Sequence, residues 1–343
     1  MTAVLSSSTV DIHAAHRAAV RGVDRERAVE IAADCADYAD LWDATSILLH
    51  ADEPALALAC CERVERRTPR HGAVFTLLRT RITAANGGFR AAHPMARAVL
   101  DEPVLSNRMR HFATAELARA LVGAGQLDAA AEVLRPDVPD TDEAPYLLAA
   151  RAALHVAAGR PRQGFDDYLE CGRRLTEQGV PNPAVLPWRS RAAHAALVEH
   201  RRDLAAALAE EELVHARRWG TPRAMGVALH AVALTRDHEE QVELLGEAVD
   251  LLRLSNGRAE LVHASRDLRH VYRAGRRGAA ALTRQEAKIA WLARAGYTNP
   301  QISEQLFLTR RTVEFHLSGA YRKLGISGRA DLRRALPDRF LDP

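Results

Sequence analysis

At 343 residues, with 48% apolar but only 5% aromatic side chains, the chain has material for about two domains whose cores must be built from Ala, Leu and Val. Net charge is +3 but uneven: residues 282–343 hold 11 Lys+Arg and 6 Asp+Glu (+5), against 36 and 38 (−2) for the remainder, so the basic last fifth suits a polyanionic partner. The chain has only two lysines, Lys288 and Lys323, and neither follows a glycine, which excludes a phosphate loop of the form G-x-x-x-x-G-K-S/T and any Schiff-base or receiver-domain lysine in the first 280 residues.

Alanine and leucine are strong helix formers, and strand formers are thinly scattered, so the expected fold class is all-α. The N-terminus, "MTAVLSSSTVDIHAAH", lacks a basic start followed by an apolar run, and no apolar stretch reaches 18 residues. Neither a secretory signal nor a membrane span is expected, which predicts a cytoplasmic protein. Residues 1–10 are expected to be disordered. His13 and His16 stand at i, i+3, a spacing that can hold a metal, but no acidic or cysteine ligand accompanies them in sequence. The four cysteines, Cys35, Cys60, Cys61 and Cys171, show no C-x-x-C spacing and read as buried thiols.

From about residue 11 to 274 one phrase recurs: a small or polar turn, a small residue five positions on, then an amphipathic helix. Clear copies place Gly87 before Ala92, Gly125 before Ala130, Gly159 before Gly164, and Gly275 before Ala280. Weaker ones place His50 before Ala55, His200 before Ala205 and Asp237 before Val242. The spacings of 37, 38, 34, 41, 37 and 38 resemble degenerate tetratricopeptide repeats, whose helix pairs stack into a superhelix with a concave face. The alternative is a non-repetitive helical bundle. "QGVPNPAVLPW" at 178–188, with three prolines, is the longest break, and reads either as a linker or as an ordered loop. No catalytic constellation is found, so the expectation is a sensor or interaction domain and not an enzyme, with no cofactor. Residues 275–281 read as a linker.

The last 62 residues, 282–343, carry start and stop signals for four helices. Thr283 and Glu286 form a capping box, and Gly296 stops the first helix. Asn299 is expected to cap a second, short helix with Pro300 at its first position and Ile302 and Leu306 turned inward. Thr309 caps a third that ends at Leu324 before Gly325, and Ser327 is expected to cap a fourth, "GRADLRRAL". In helix three Val313, Leu317, Ala320, Tyr321 and Leu324 make one apolar stripe. The opposite side presents Arg311, Glu314, Phe315, Ser318 and Arg322, flanked by His316 and Lys323. A donor-rich side with an exposed aromatic suits a helix lying in the DNA major groove.

The signatures L-T-x-x-E, G-x-[T/S]-N-x-x-I, L-x-[T/S]-x-R-T-V-x-x-H and Y-x-K-L-G, within about 50 consecutive residues, resemble the C-terminal LuxR-type helix-turn-helix of bacterial transcription regulators. The whole chain resembles the branch with helical repeats, but lacks the lysine of that branch's ATPase module. The resemblance implies four helices, the third reading DNA and the fourth often dimerising. It implies that Glu314, Phe315 and Ser318 face bases, and that Arg310, Arg311, Thr312, His316, Arg322 and Lys323 meet phosphates beside the cap Thr309. It further implies a homodimer on two half-sites of double-stranded DNA, contact with RNA polymerase, more often activation than repression, and an effector, small molecule or protein, at the repeats. The alternative is an interaction scaffold with an inactive DNA-binding domain. Gly319 in mid-helix, and Ser303 where alanine is usual, depart from the pattern.

Overall fold

The computed structural model describes residues 7–68, 70–135, 137–280 and 282–336. Every regular element among them is helical. The helices divide into two compact units, one through residue 235 together with 247–262, the other 236–246 together with 263 onward.

The first unit opens with α1 (Ser7–Arg21) and α2 (Arg25–Ala33), so residues 7–10 start a helix, while residues 1–6 lie outside the described residues. Hairpins follow: α3 (Leu41–His50) with α4 (Pro54–Glu65), α5 (Gly72–Ala85) with α6 (Phe89–Leu100), α7 (Asn107–Gly123) with α8 (Leu127–Val133), α9 (Ala144–Ala157) with α10 (Pro161–Glu177), and α11 (Trp188–Val198) with α12 (Arg202–Trp219). Each pair is joined by three residues, of which the second is left-handed: Asp52, Gly87, Gly125, Gly159 and His200, with φ of 62°, 78°, 77°, 74° and 58°. The amide three residues beyond the helix end bonds back into its last turn, as Gln126 N does to Leu121 O at 2.9 Å, so the turn closes one helix and aims the next.

Five positions after each left-handed residue stands a buried small one: Ala57, Ala92, Ala130, Gly164 and Ala205. A methyl group at Gly164 would come within 2.5 Å of Val156 Cγ2 and 2.9 Å of the Ala152 carbonyl oxygen, so the two helices of that hairpin approach through a glycine. The first copy of the expected phrase therefore falls at Asp52 and Ala57 and not at His50 and Ala55; Ala55 is exposed because its helix face turns outward. The first helices of neighbouring hairpins also touch, α3 with α5, α5 with α7, α7 with α9 and α11 with α13 (Pro222–Leu234).

The 178–188 break is an ordered loop within this unit. Asn182 is buried, donates from Nδ2 to Ala19 O at 2.7 Å, and donates its own amide to Val20 O, satisfying carbonyls at the end of α1. Trp219, also buried, donates Nε1–H to His50 O at 2.7 Å. Beyond α13 come α14 (His238–Arg253) and α15 (Arg258–Ala280), which both units share. The turn expected at Gly275 does not form: residues 275–280, read as linker, continue α15, because an alanine-rich stretch without proline has nothing to stop the helix; Ala281 lies outside the described residues. None of the described helices is long and apolar enough to cross a membrane.

Candidate nucleic-acid interface

The second unit ends in α16 (Arg284–Arg294), α17 (Asn299–Gln305), α18 (Arg310–Leu324), a 3-10 turn (Arg329–Asp331) and α19 (Leu332–Ala335). Their shared core holds Ile289, Ala293, Ile302, Val313, Leu317 and Ala320, closed by Leu332 and Leu336. The apolar stripe of α18 thus faces α16 and α17, which fixes the direction of its other side.

Local chemistry sets each start. Thr283 and Glu286 form the expected capping box. The second helix is capped by Thr298 and not by Asn299: Thr298 Oγ1 accepts from Gln301 N, the Gln301 side chain accepts from Thr298 N at 2.8 Å, and Asn299 Oδ1 instead accepts from Arg329. Thr309 Oγ1 accepts from Thr312 N at 3.1 Å, and the two threonine hydroxyls lie 2.7 Å apart. Gly296 and Gly325 are left-handed stops with φ of 96° and 67°. Ser327 makes no side-chain cap. Its amide donates to Asp331 Oδ2 at 3.1 Å, and the fourth element begins as a 3-10 turn, with residues 337–343 outside the described residues. Ser303 is accommodated by donating to Pro300 O at 2.7 Å.

On the outer side of α18, Arg310, Arg311, Glu314, Ser318, Arg322 and Lys323 are exposed, as is Thr309 just before it, while Thr312 and His316 are half-buried. Phe315 is 76% exposed and stands next to the carboxylate of Glu314 on this polar side. The side chains of Arg310, Arg311, Glu314 and Arg322 pair with no described residue, so three guanidinium groups and one carboxylate of this helix are left to solvent. The amino end of α18 adds unpaired N–H groups and the positive pole of the helix dipole.

Lys323 is placed differently from its neighbours. Its Nζ donates to Glu286 Oε2 at 2.6 Å, and the same oxygen accepts the Thr283 amide at 2.7 Å. The Lys323 ammonium and the Thr283 donors hold the Glu286 carboxyl down at about 2. Gly319 lies directly over this carboxylate; a methyl there would meet Glu286 Oε1 at 2.8 Å. The mid-helix glycine therefore makes room for an ion pair that joins α18 to the start of α16.

One exposed group escaped sequence reasoning. Phe307, in the turn between α17 and α18, is 96% exposed and left-handed (φ 55°), in a turn closed by Leu308 N to Ser303 O at 2.9 Å. A phenylalanine there costs about 1 kcal/mol of backbone strain. Its only sequence signal was an aromatic between the two inward leucines, Leu306 and Leu308. In the first unit, His13 and His16 converge on one carboxylate, with Nδ1 atoms 2.7 Å and 3.5 Å from Asp43, a partner their sequence spacing did not reveal.

Residues 280–336 match the family described as bacterial regulatory proteins, luxR family. The C-terminal domain is a LuxR-family helix-turn-helix domain. Within that LuxR-type domain α17 and α18 form the helix-turn-helix pair. A protein named as an HTH-type transcriptional regulator in Mycobacterium bovis, and one named likewise in Mycobacterium tuberculosis, are each 29% identical to the chain over 275 residues. These alignments cover 73% of the chain but 28% of each relative, so the chain spans little more than a quarter of their length. The crystal structure of BtubC (BKLC) from P. vanneervenii aligns with 66% of this chain and 90% of its own, at 12% identity and a TM-score of 0.36.

Proposed function

We propose that the protein is a sequence-specific transcription regulator that lays α18 in the DNA major groove, acts as a homodimer on two half-sites, and uses its helical hairpins, a tetratricopeptide-like array, to sense a small molecule or protein partner. Activation is the favoured direction, through contact with RNA polymerase. The observation that carries this reading is the outer side of α18, where the exposed Phe315 lies among Glu314, Ser318 and unpaired arginines. A carboxylate repels phosphate, so Glu314 on such a face is suited to accept from the amino group of cytosine, while Arg310, Arg311 and Arg322 supply charge to the backbone.

The test is selection of bound sequences by the full chain, followed by variants. Glu314→Ala is expected to relax preference at one base position per half-site, a loss of about 1–3 kcal/mol of discrimination, with nonspecific affinity unchanged or raised. A uniform loss of affinity with preference intact would mean that α18 is not the reader. Arg322→Ala is expected to weaken binding to all sequences alike and to lower the salt slope by about 0.9, one phosphate contact. Lys323 is a poorer probe of the same point, because its removal also strips Glu286 of a partner.

A further inference from the structure

The hairpin unit gathers rings and guanidinium groups at a point where, among the described residues, no carboxylate is in ion-pair contact with the innermost charge. Arg81, on α5, is 7% exposed. Among the described residues its side chain has one hydrogen bond, Nη1 donating to Ser46 Oγ at 3.2 Å, and no ion pair. Its guanidinium carbon lies 4.8 Å from the Trp42 ring centre and 5.5 Å from that of Phe112. Arg108 sits over the same two rings, at 5.5 and 6.0 Å. Its side chain is 61% exposed, and Glu143, 3.5 Å away, is also shared with His111 at 3.7 Å. Tyr146 packs on Phe112 with ring centres 4.8 Å apart, and its hydroxyl bonds to no described residue. These residues belong to α3, α5, α7 and α9, the first helices of four successive hairpins, so the cluster is made by the array and by no single hairpin.

A guanidinium has five N–H donors in a planar fork, and taking its charge out of water is costly unless an anion faces it. Stacking on aromatic faces offsets part of that cost, but a ring supplies no acceptor atoms to the fork. A second guanidinium on the same rings adds like-charge repulsion; burial pushes the Arg81 pKa down, Tyr146 and the Glu116 carboxylate pull it up without an ion-pair contact, and Arg119 and Arg108 push it further down. Donors therefore outnumber acceptors here, with two positive groups side by side. The missing complement is an acceptor-rich anion, and the planar fork suits the bidentate geometry of a carboxylate or phosphate.

We propose that Arg81 and Arg108 form an anion-binding site that takes a small organic acid, its carboxylate or phosphate held by the two guanidinium groups and its carbon body against the half-buried rings of Trp42 and Tyr146. This deepens the sensing role given to the hairpins and rests on that reading only for its consequence on DNA. Binding to the full chain is measured by calorimetry without DNA, using benzoate, phenyl phosphate and inorganic phosphate as anionic probes and benzyl alcohol as the uncharged control. At least one anionic probe is expected to bind saturably and benzyl alcohol not to bind. Arg108→Gln, at an exposed position that leaves the fold intact, and Arg81→Met, which keeps the bulk of the side chain, should each weaken that binding at least tenfold. Benzoate alone binding assigns a carboxylate, and the phosphates alone a phosphate ester; either result supports the site. No saturable binding by any anionic probe, or affinity unchanged in both variants, overturns it. Operator binding is read separately, so loss of DNA binding and loss of probe binding cannot be confused.

Discussion

Helices begin differently in the two regions of this molecule. In the LuxR-type domain α16, α17 and α18 each open on a threonine whose hydroxyl accepts an amide of the first turn. In the hairpin unit the second helices, α4, α6, α8, α10 and α12, open without any side-chain cap. Each is started by the left-handed turn of the helix before it and held by burial of a small residue in its second turn. The small domain, with little apolar surface to bury, specifies its ends locally; the second helices of the hairpins are specified by packing each on the helix that precedes it, although α7 and α13 open on the caps Ser106 and Thr221.

Buried charge follows the same division. Glu286 is held by Lys323 and Thr283 and titrates at about 2. Glu212, on α12, is fully buried, accepts the Ser190 amide on Oε1 at 3.1 Å, and its Oε2, without a hydrogen bond, lies 3.8 Å from Arg189 Nη1. Burial pushes its pKa up to about 7 against the pull of Ser190 and Arg189. The two regions should therefore respond to pH in opposite directions. Glu212 has a folded pKa above its unfolded value of 4.5, so the native state holds the extra proton between these values. Stability of the hairpin unit should fall by ~3 kcal/mol as pH rises from 4.5 through 7. Glu212→Gln should flatten that dependence and stabilise the unit at pH 8, as read by hydrogen exchange in α11 and α12. A wild-type unit equally protected at pH 5 and pH 8 would break the comparison.

The glycines sharpen it. Gly164→Ala should destabilise the hairpin unit by about 2 kcal/mol in urea unfolding, because the added methyl meets a backbone carbonyl and a packed valine. Gly319→Ala should cost about 1 kcal/mol or less, since its methyl meets only the end of the Glu286 side chain, and the gain in helix propensity offsets the shift. Equal losses at the two sites would mean that the close approach at Gly164 is not what holds its hairpin.

A similarly small effect is expected at Glu286. Its folded pKa of about 2 lies below the unfolded 4.5, so its contribution is present above pH 4.5 and is lost as pH falls toward 2. Glu286→Gln should lower protection of α16 by about 1 kcal/mol at pH 7, comparable with loss of a capping interaction, and remove the acid-side loss. Unchanged acid sensitivity in Glu286→Gln would assign that loss to other carboxylates.

The sequence was most legible where an interaction spans three or four residues. Thr283 with Glu286, the stops at Gly296 and Gly325, the cap Thr309 and the apolar stripe of α18 all lie within that reach. The cap of α17 was displaced by one residue because threonine and asparagine compete there. Gln301 stands at the right distance to complete a box with Thr298, and Arg329 draws Asn299 away. In the array the recurring turns marked the hairpins, but His50 stood two residues early, Gly275 fell inside a continuous helix, and the α1–α2 hairpin was missed, its turn at Gly22 having none of the expected phrase.

By itself, then, the sequence determined that the chain is helical, where the three threonine-capped C-terminal helices start to within a residue, and which side of α18 is polar, because propensity, capping and a 3.6-residue period act along the chain. Only the tertiary structure decided which polar groups are free to meet a partner. Lys323 is spoken for by a carboxylate 37 residues away, while Arg322 beside it is not. Asn182 seals the end of a helix 163 residues earlier, and Arg81 is buried by helices from three other hairpins with no described acid in ion-pair contact. Nothing along the chain encodes such pairings at short range; they arise when packing brings distant groups together and removes the water that would otherwise have satisfied them.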